Sequence, residues 1–470
     1  MNQPSTSGSD KRLVLVVTCA ASFLFPFMGS SVNVALPSIG ANLDMTAVQL
    51  TWVATAFLLT STLLLMPFGR VGDTKGRKQV LMAGAATYAV GSALAGLAPT
   101  GAALIAARAV QGSGGAMFAT TALAILSSVY GPGERGKALG INAACLYSGM
   151  SCGPAVGGIV TQWLGWRALF LMNIPLALAL LLAAHLKLPA SRPSAPDAPF
   201  DWKGLGAYAL FLLGVMYGIS LLPEARGYFV FGVGLAGLVL LLRVERDTPH
   251  PLVDIGLFRS NLQFAMSNVA ALLNYSATFA AGFLLSLYLQ LVVGLPPRTA
   301  GLTLVAMPIV QALVSPLAGR LSDRMEPRVL ASIGMGLTAV ALLTMSRLNA
   351  ETGVWHVAPA LMLLGLGVGL FSSPNTNAVM TSVQPGKYGL AAATLATMRQ
   401  AGMVLSMAVA TLVISAKVGD VGVAAAPVAD FVEAVQLTFV IFAIACLAGI
   451  LASLSRGRIH ESDGGNAGSG

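Results

Sequence analysis

The sequence predicts an all-α membrane protein with fourteen transmembrane helices, and three observations carry that prediction. Apolar stretches long enough to cross a bilayer recur through nearly all of the 470 residues, and a span needs about 20 apolar residues to cross roughly 30 Å of hydrocarbon. The chain is 56% hydrophobic and 10% charged, with a mean hydropathy of +0.78, whereas soluble domains carry about 25% charged residues. The basic residues, finally, are sorted between alternate loops.

In chain order the predicted spans are 13–36, which lies just after Lys11-Arg12, then 48–69, 79–98, 101–129, 138–161 and 168–187. Two shorter ones, 204–222 and 227–242, come after a stretch rich in Pro, Ser and Ala. Six more lie at 264–292, 299–318, 329–346, 357–380, 390–415 and 433–454. With the amino terminus inside, 20 of the 27 Lys and Arg fall on the inner side. Five (Arg167, Arg226, Arg298, Arg347, Lys417) fall outside, and Arg108 and Arg399 lie within spans. This is the positive-inside pattern, with both termini cytoplasmic. It accounts for the net charge of +9 without nucleic acid. The expected setting is the inner membrane of a bacterium or archaeon.

Thirteen further spans mark the first one as a membrane helix rather than a cleaved leader. The four cysteines (Cys19, Cys145, Cys152, Cys446) sit in apolar runs without metal-ligand spacing and serve as small packing residues. No metal or other cofactor is expected. No phosphate-binding loop of the form G-x-x-x-x-G-K-[ST] occurs, so ATP does not drive this chain directly.

An internal repeat is visible. Gly69-Arg70-Val71-Gly72-Asp73-Thr74-Lys75-Gly76-Arg77-Lys78 is echoed 250 residues later by Gly319-Arg320-Leu321-Ser322-Asp323-Arg324-Met325-Glu326-Pro327-Arg328. Gly, Arg, Asp and the final basic residue coincide, which predicts two homologous six-helix halves of one orientation, a transporter device. The predicted organisation is a cytoplasmic tail (1–12), a first bundle (13–188), a linker with two additional helices (189–262), a second bundle (263–455) and a tail (456–470).

Six motifs in order resemble the major facilitator superfamily, specifically its fourteen-helix drug:proton antiporter branch. They are the 69–78 loop, Arg108-Ala109-Val110-Gln111-Gly112, and the run Gly149 to Gly158. Trp166-Arg167 through Asn173-Ile174-Pro175, Phe200-Asp201-Trp202-Lys203-Gly204, and His250-Pro251-Leu252 through Phe258 complete the series. The resemblance covers roughly residues 13–455. It implies two pseudo-symmetric six-helix bundles plus two extra helices, rocking around a midplane cavity. The activity it implies is secondary export of small amphipathic compounds, coupled to protons, by a monomer that is not an enzyme.

Site residues are predicted from residue type and spacing. An arginine inside the membrane costs at least ~2.5–3.5 kcal/mol and faces a wet cavity or a polar partner. Arg108, Gln111, Gly112 and Gly115 share one helix face, and Arg399, Met403 and Ser406 share another; both faces are expected to line the cavity, with a carbonyl-bonded structural hub as the alternative for each Arg. Asn33 and Gln290 are further polar candidates. The resemblance implies a cytoplasmic gate at Gly69, Asp73, Gly76, Arg77, Lys78, Gly319, Asp323 and Arg328. Asp73 is expected to cap the next helix and to pair with a basic neighbour. Gly149, Gly153 and Gly157, at i, i+4 and i+8, make a smooth stripe for another helix. Pro154 permits a bend, and together with Gly158 these residues resemble the antiporter motif of that branch. All 18 Asp and Glu fall outside the middle of the spans, and Met28 stands where the family commonly has a helix-1 Asp before Asn33-Val34-Ala35-Leu36-Pro37. That leaves an uncoupled facilitator or an organic-anion exporter as the alternative expectation, because a cavity with two cations and no anion favours anionic or neutral compounds.

Overall fold

A computed structural model describes residues 8–130, 132–188, 201–222, 224–247, 255–322, 324–384, 388–419 and 427–457. All regular elements among them are helices. They are α1 (Gly8–Leu43), α2 (Ala47–Lys75), α3 (Arg77–Gly96), α4 (Gly101–Val129), α5 (Pro132–Leu164), α6 (Trp166–Leu171), α7 (Asn173–Lys187), α8 (Trp202–Ser220) and α9 (Ala225–Asp247). Next come α10 (Ile255–Ser260), α11 (Leu262–Leu287, continued by a π-turn at Tyr288–Val292), α12 (Pro297–Leu304), α13 (Ala306–Ser322), α14 (Pro327–Met345), α15 (Val354–Thr381), α16 (Tyr388–Lys417) and α17 (Val428–Ser455).

Thirteen helical spans among the described residues are long and apolar enough to cross a membrane. The remaining predicted span, 79–98, is α3, whose 20 residues include nine Ala and Gly and are therefore less apolar. Large apolar side chains such as Leu182, Leu186, Leu313, Leu317 and Leu451 are exposed along these helices, as a lipid-facing surface requires.

Two predicted spans are broken. Span 168–187 divides at Met172 between α6 and α7, and span 299–318 divides at Val305 between α12 and α13. Pro175 and Pro308 lack the N–H that would bond the carbonyls of Leu171 and Leu304. The 69–78 segment differs from the loop predicted for it. Nothing in Arg70–Thr74 stops a helix, so α2 runs on to Lys75. Only Gly76 leaves it, at φ 106°, a conformation that L side chains rarely adopt. Gly69 makes no close approach to another helix.

The chain packs as two units. The first comprises residues up to Leu212 together with Pro296–Leu302, and the second holds Leu213–Leu295 and most residues from Thr303 onward. Within the first, α4 is central: α2 and α3 pack on it, α1 pairs with α5, and α7 covers α3. Within the second, α15 is central: α13 and α14 pack on it, α11 pairs with α16, and α17 closes against α11 and α14. The internal repeat thus reappears as a repeated packing scheme. Gly84 on α3 and Gly334 on α14, 250 residues apart, do the same work. A Cβ at Gly84 would lie 2.6 Å from Met117 Cβ on α4, and one at Gly334 would lie 2.6 Å from the Gly367 carbonyl on α15. The α8–α9 hairpin is joined the same way, with Gly214 against Gly234 and Gly218 against Phe231.

These contacts set an internal control. Gly334→Ala overpacks α14 against α15 and is expected to lower stability by about 1–3 kcal/mol. Gly336→Ala, two residues away in open space, leaves it unchanged. Thermal unfolding of the two detergent-purified variants checks the difference.

Candidate functional site

Arg108 lies deep in the first unit, 1% exposed. Its Nε donates to the Val53 carbonyl of α2 at 3.1 Å, and its Nη1 donates to Gln111 Oε1 one turn along α4. Gln111 Nε2 donates to Ser92 Oγ at 2.8 Å, and Ser92 Oγ to the Tyr88 carbonyl at 2.8 Å. The Phe57 ring lies 4.2 Å from the guanidinium carbon and the Phe170 ring 5.9 Å. A chain of bonds therefore runs from α2 through α4 to α3, roofed by aromatic faces that attract the cation. Gly112 completes the arrangement, because a Cβ there would strike the Phe57 carbonyl. The oxygens bonded to Arg108 are all neutral.

Met28, on α1, is fully buried. Its sulfur accepts from Asn173 Nδ2 at 3.1 Å, and the same amide donates to the Leu169 carbonyl at 2.8 Å. The partner of the thioether is an amide. Asn33, one and a half turns further along α1, is half-buried.

In the second unit Arg399 is half-buried on α16. Its Nη2 donates to Thr376 Oγ1 of α15 at 2.6 Å, and the Tyr275 ring of α11 lies 5.6 Å away. Its Nε is buried without a hydrogen-bond partner. Ser406, predicted on the same face, is fully buried and accepts from the Ala280 N–H at 3.0 Å. Gln290 lies in the π-turn, where its Nε2 donates to Ser286 Oγ at 3.1 Å. It is 15 residues beyond Tyr275, about 22 Å along the helix axis. Arg108 and Gln111 are thus brought together, while Arg399 and Gln290 are held far apart.

At the α2–α3 junction, Arg77 donates to Asp73 Oδ1 through Nη2 at 2.9 Å and Nε at 3.2 Å, and to the Ala124 carbonyl through Nη1 at 2.9 Å. Asp73 pairs with its basic neighbour and does not cap α3. Lys78 Nζ donates to the His185 and Leu188 carbonyls at 2.8 and 2.6 Å, closing the open C-terminal end of α7. In the second copy Gly319 makes only ordinary contact with Ser373. Ser453 Oγ reaches the Arg328 carbonyl at 3.4 Å. Asp323 lies outside the described residues.

The glycine stripe lies against α1. A Cβ at Gly149 would strike the Phe23 carbonyl, one at Gly153 would strike Ser30 Oγ, and one at Gly157 would lie 2.7 Å from the Ser31 carbonyl. Ser31 Oγ donates to the Gly153 carbonyl at 3.0 Å. Pro154 and Gly158 face the other way, toward Gly301 and Pro297 of the segment that packs with this unit.

Three polar clusters join residues that the motifs of the sequence do not connect. Lys11 Nζ pairs with Glu134 Oε2 at 2.6 Å, and Tyr130 donates to the Lys11 carbonyl at 2.7 Å. Burial raises the Tyr130 phenol pKa, with Glu134 adding to the rise and Lys11 opposing it. Asn42 Oδ1 accepts from Trp166 Nε1 at 3.3 Å and Arg167 Nη1 at 2.6 Å. Arg456 Nη1, just past α17, donates to Asn375 Oδ1 at 2.8 Å. All three join residues more than 80 positions apart, a separation that no local pattern reveals.

Comparison with known proteins agrees with this architecture. The profile of the Major Facilitator Superfamily matches residues 18–261 and 268–468. The riboflavin transporter RibZ of Clostridioides difficile is 28% identical over 94% of this chain and 96% of its own. The puromycin resistance protein pur8 of Streptomyces alboniger is 32% identical over 84% of this chain and 80% of its own. The multidrug efflux pump LfrA of Mycolicibacterium smegmatis is 29% identical over 86% and 81%. The chain belongs to the major facilitator superfamily.

Proposed function

We propose that this protein exports small amphipathic compounds by alternating access, driven by the proton gradient across the inner membrane of a bacterium or archaeon. In this reading it works as a monomer with both termini in the cytoplasm and is not an enzyme. Residues 13–188 and 263–455 are the two moving bundles, and 189–262 carry the extra helix pair. Arg108, Gln111, Asn33, Gln290 and Arg399 are the polar groups assigned to substrate and coupling. Gly69, Asp73, Gly76, Arg77, Lys78, Gly319, Asp323 and Arg328 belong to the cytoplasmic gate. The observation that carries the reading is the stripe Gly149–Gly153–Gly157 seated on the α1 backbone, with Pro154 and Gly158 turned to the opposite side, in a chain whose relatives include efflux and resistance proteins.

A second reading, an uncoupled facilitator or organic-anion exporter, is favoured by one observation. Position 28 holds a buried thioether, and Arg108 bonds neutral oxygens. The arginines at 108 and 399 leave positive charge uncompensated by any acid in the middle of a predicted span, which attracts anions.

Three outcomes are expected. Arg108→Ala removes the α2–α4 bond and is expected to abolish resistance in an efflux-deficient host, with unchanged membrane levels on immunoblots. Full resistance in that variant would remove Arg108 from the mechanism. In proteoliposomes, an imposed pH gradient is expected to accelerate puromycin movement, and rates independent of the gradient would favour the uncoupled reading. A bis-quaternary dication is expected to be transported poorly beside a neutral or anionic analogue of similar size, as direct flux measurements would register.

A further inference from the structure

Arg399 lies within the membrane-spanning part of α16, which begins at Ala391, so it sits about 12 Å along the span. A guanidinium at this depth calls for a polar partner or for water. Three helices of the second unit converge on it. From α15, Thr376 Oγ1 accepts from Nη2 at 2.6 Å. From α11, the Tyr275 ring lies 5.6 Å from the guanidinium carbon. Gly402, one turn further along α16, keeps the two helices this close, because a Cβ there would lie 3.0 Å from Tyr275 Cβ and 2.5 Å from the Leu272 carbonyl. Arg399, Tyr275 and Thr376 are each half-buried, so the cluster stays partly accessible.

These partners leave the cation unneutralised. The Thr376 hydroxyl is itself tied to the Ser372 carbonyl at 2.8 Å. Nε, on the same edge of the guanidinium as Nη2, is buried without a hydrogen-bond partner. That edge is the one that grips a carboxylate side-on. The chain shows the pairing at the α2–α3 junction, where Arg77 reaches Asp73 Oδ1 through Nη2 at 2.9 Å and Nε at 3.2 Å. Arg399 presents the same edge with one neutral oxygen on it. All 18 Asp and Glu fall outside the middle of the predicted spans, so the charge has no counterpart at this depth. Arg108 differs: it is 1% exposed, and its Nε and Nη1 already meet the Val53 carbonyl and Gln111 Oε1.

We propose that Arg399 is the seat for the carboxylate of an organic anion. The carboxylate takes Nη2 from Thr376, meets Nε with its second oxygen, and lays its apolar body along the Tyr275 ring. The proposal deepens the organic-anion reading given above and rests on it. It also separates the two intramembrane arginines, since the anion goes to Arg399 and not to Arg108.

Equilibrium binding tests the seat without any flux. The probe is radiolabelled 1-naphthoate, offered to the detergent-purified full-length chain beside neutral 1-naphthamide, which has nearly the same shape. Naphthoate is expected to bind about tenfold more tightly than the amide. Arg399→Gln is expected to weaken naphthoate by about tenfold, as loss of a charged hydrogen bond does, and to leave naphthamide unchanged, which also shows that the variant is folded. Arg399→Lys keeps the charge without the fork and is expected to weaken naphthoate by about threefold. Thr376→Val removes the competing hydroxyl at nearly constant volume and is expected to tighten naphthoate by about threefold. If the glutamine variant does not fold, the lysine and valine variants carry the test. Absence of naphthoate binding, equal affinity for acid and amide, equal losses for both probes in an Arg399 variant, or unchanged or weaker naphthoate binding in Thr376→Val would overturn the proposal. Naphthoate bound in the expected pattern but not carried across proteoliposome membranes would instead count against the organic-anion reading.

Discussion

Close backbone approach is the constraint on which this structure depends. In lipid the apolar side chains of two helices gain little by meeting each other, so association relies on tight packing and interhelical hydrogen bonds. The chain meets that requirement with glycine at the crossing points: Gly112 under α2, Gly84 under α4, Gly149, Gly153 and Gly157 under α1, and Gly334 under α15. Where the backbones touch, short polar bonds such as Ser31 to the Gly153 carbonyl become geometrically possible. The polar network around Arg108 depends on the same proximity, because the Val53 carbonyl can accept from Arg108 only when α2 lies directly on α4.

That network places a cation among carbonyl, amide and hydroxyl groups with aromatic rings above it. Such a site is preorganised, since each dipole is fixed by its own helix. Arg399 contrasts with it. It is half-buried, makes one side-chain bond to Thr376, and retains an unmet Nε. The two intramembrane arginines are therefore physically unlike, one bonded through Nε and Nη1 beneath an aromatic ring and one bonded through Nη2 with its Nε unmet.

Much of the fold was legible because apolar length and the glycine stripe are local properties. The spans and the adjacency of Arg108 and Gln111 arise from short-range patterns. What escaped depends on distant chain segments or on how a proline is tolerated. Pro175 and Pro308 lie inside continuous apolar runs, and hydropathy does not register a missing N–H. Lys78 reads as a topology signal, yet it closes α7 through carbonyls 107 and 110 residues away. Arg456 reads as part of a tail, since only the folded α11 and α15 bury it. Asp73 was expected both to cap α3 and to pair with a basic neighbour, and only the pair with Arg77 one turn later is found.

The π-turn at Tyr288–Val292 has a consequence for phase. Its wider hydrogen-bonded ring accommodates one more residue than an α-turn, so the residues after it are rotated by about 100° relative to an uninterrupted α11. A wheel projected from Tyr275 therefore assigns Gln290 to the wrong azimuth. Tyr288 anchors the dislocation by donating to the Asn349 and Thr352 carbonyls at 2.6 and 3.1 Å. Removing one residue from this segment would restore ordinary winding and swing everything beyond it to a different side of the helix.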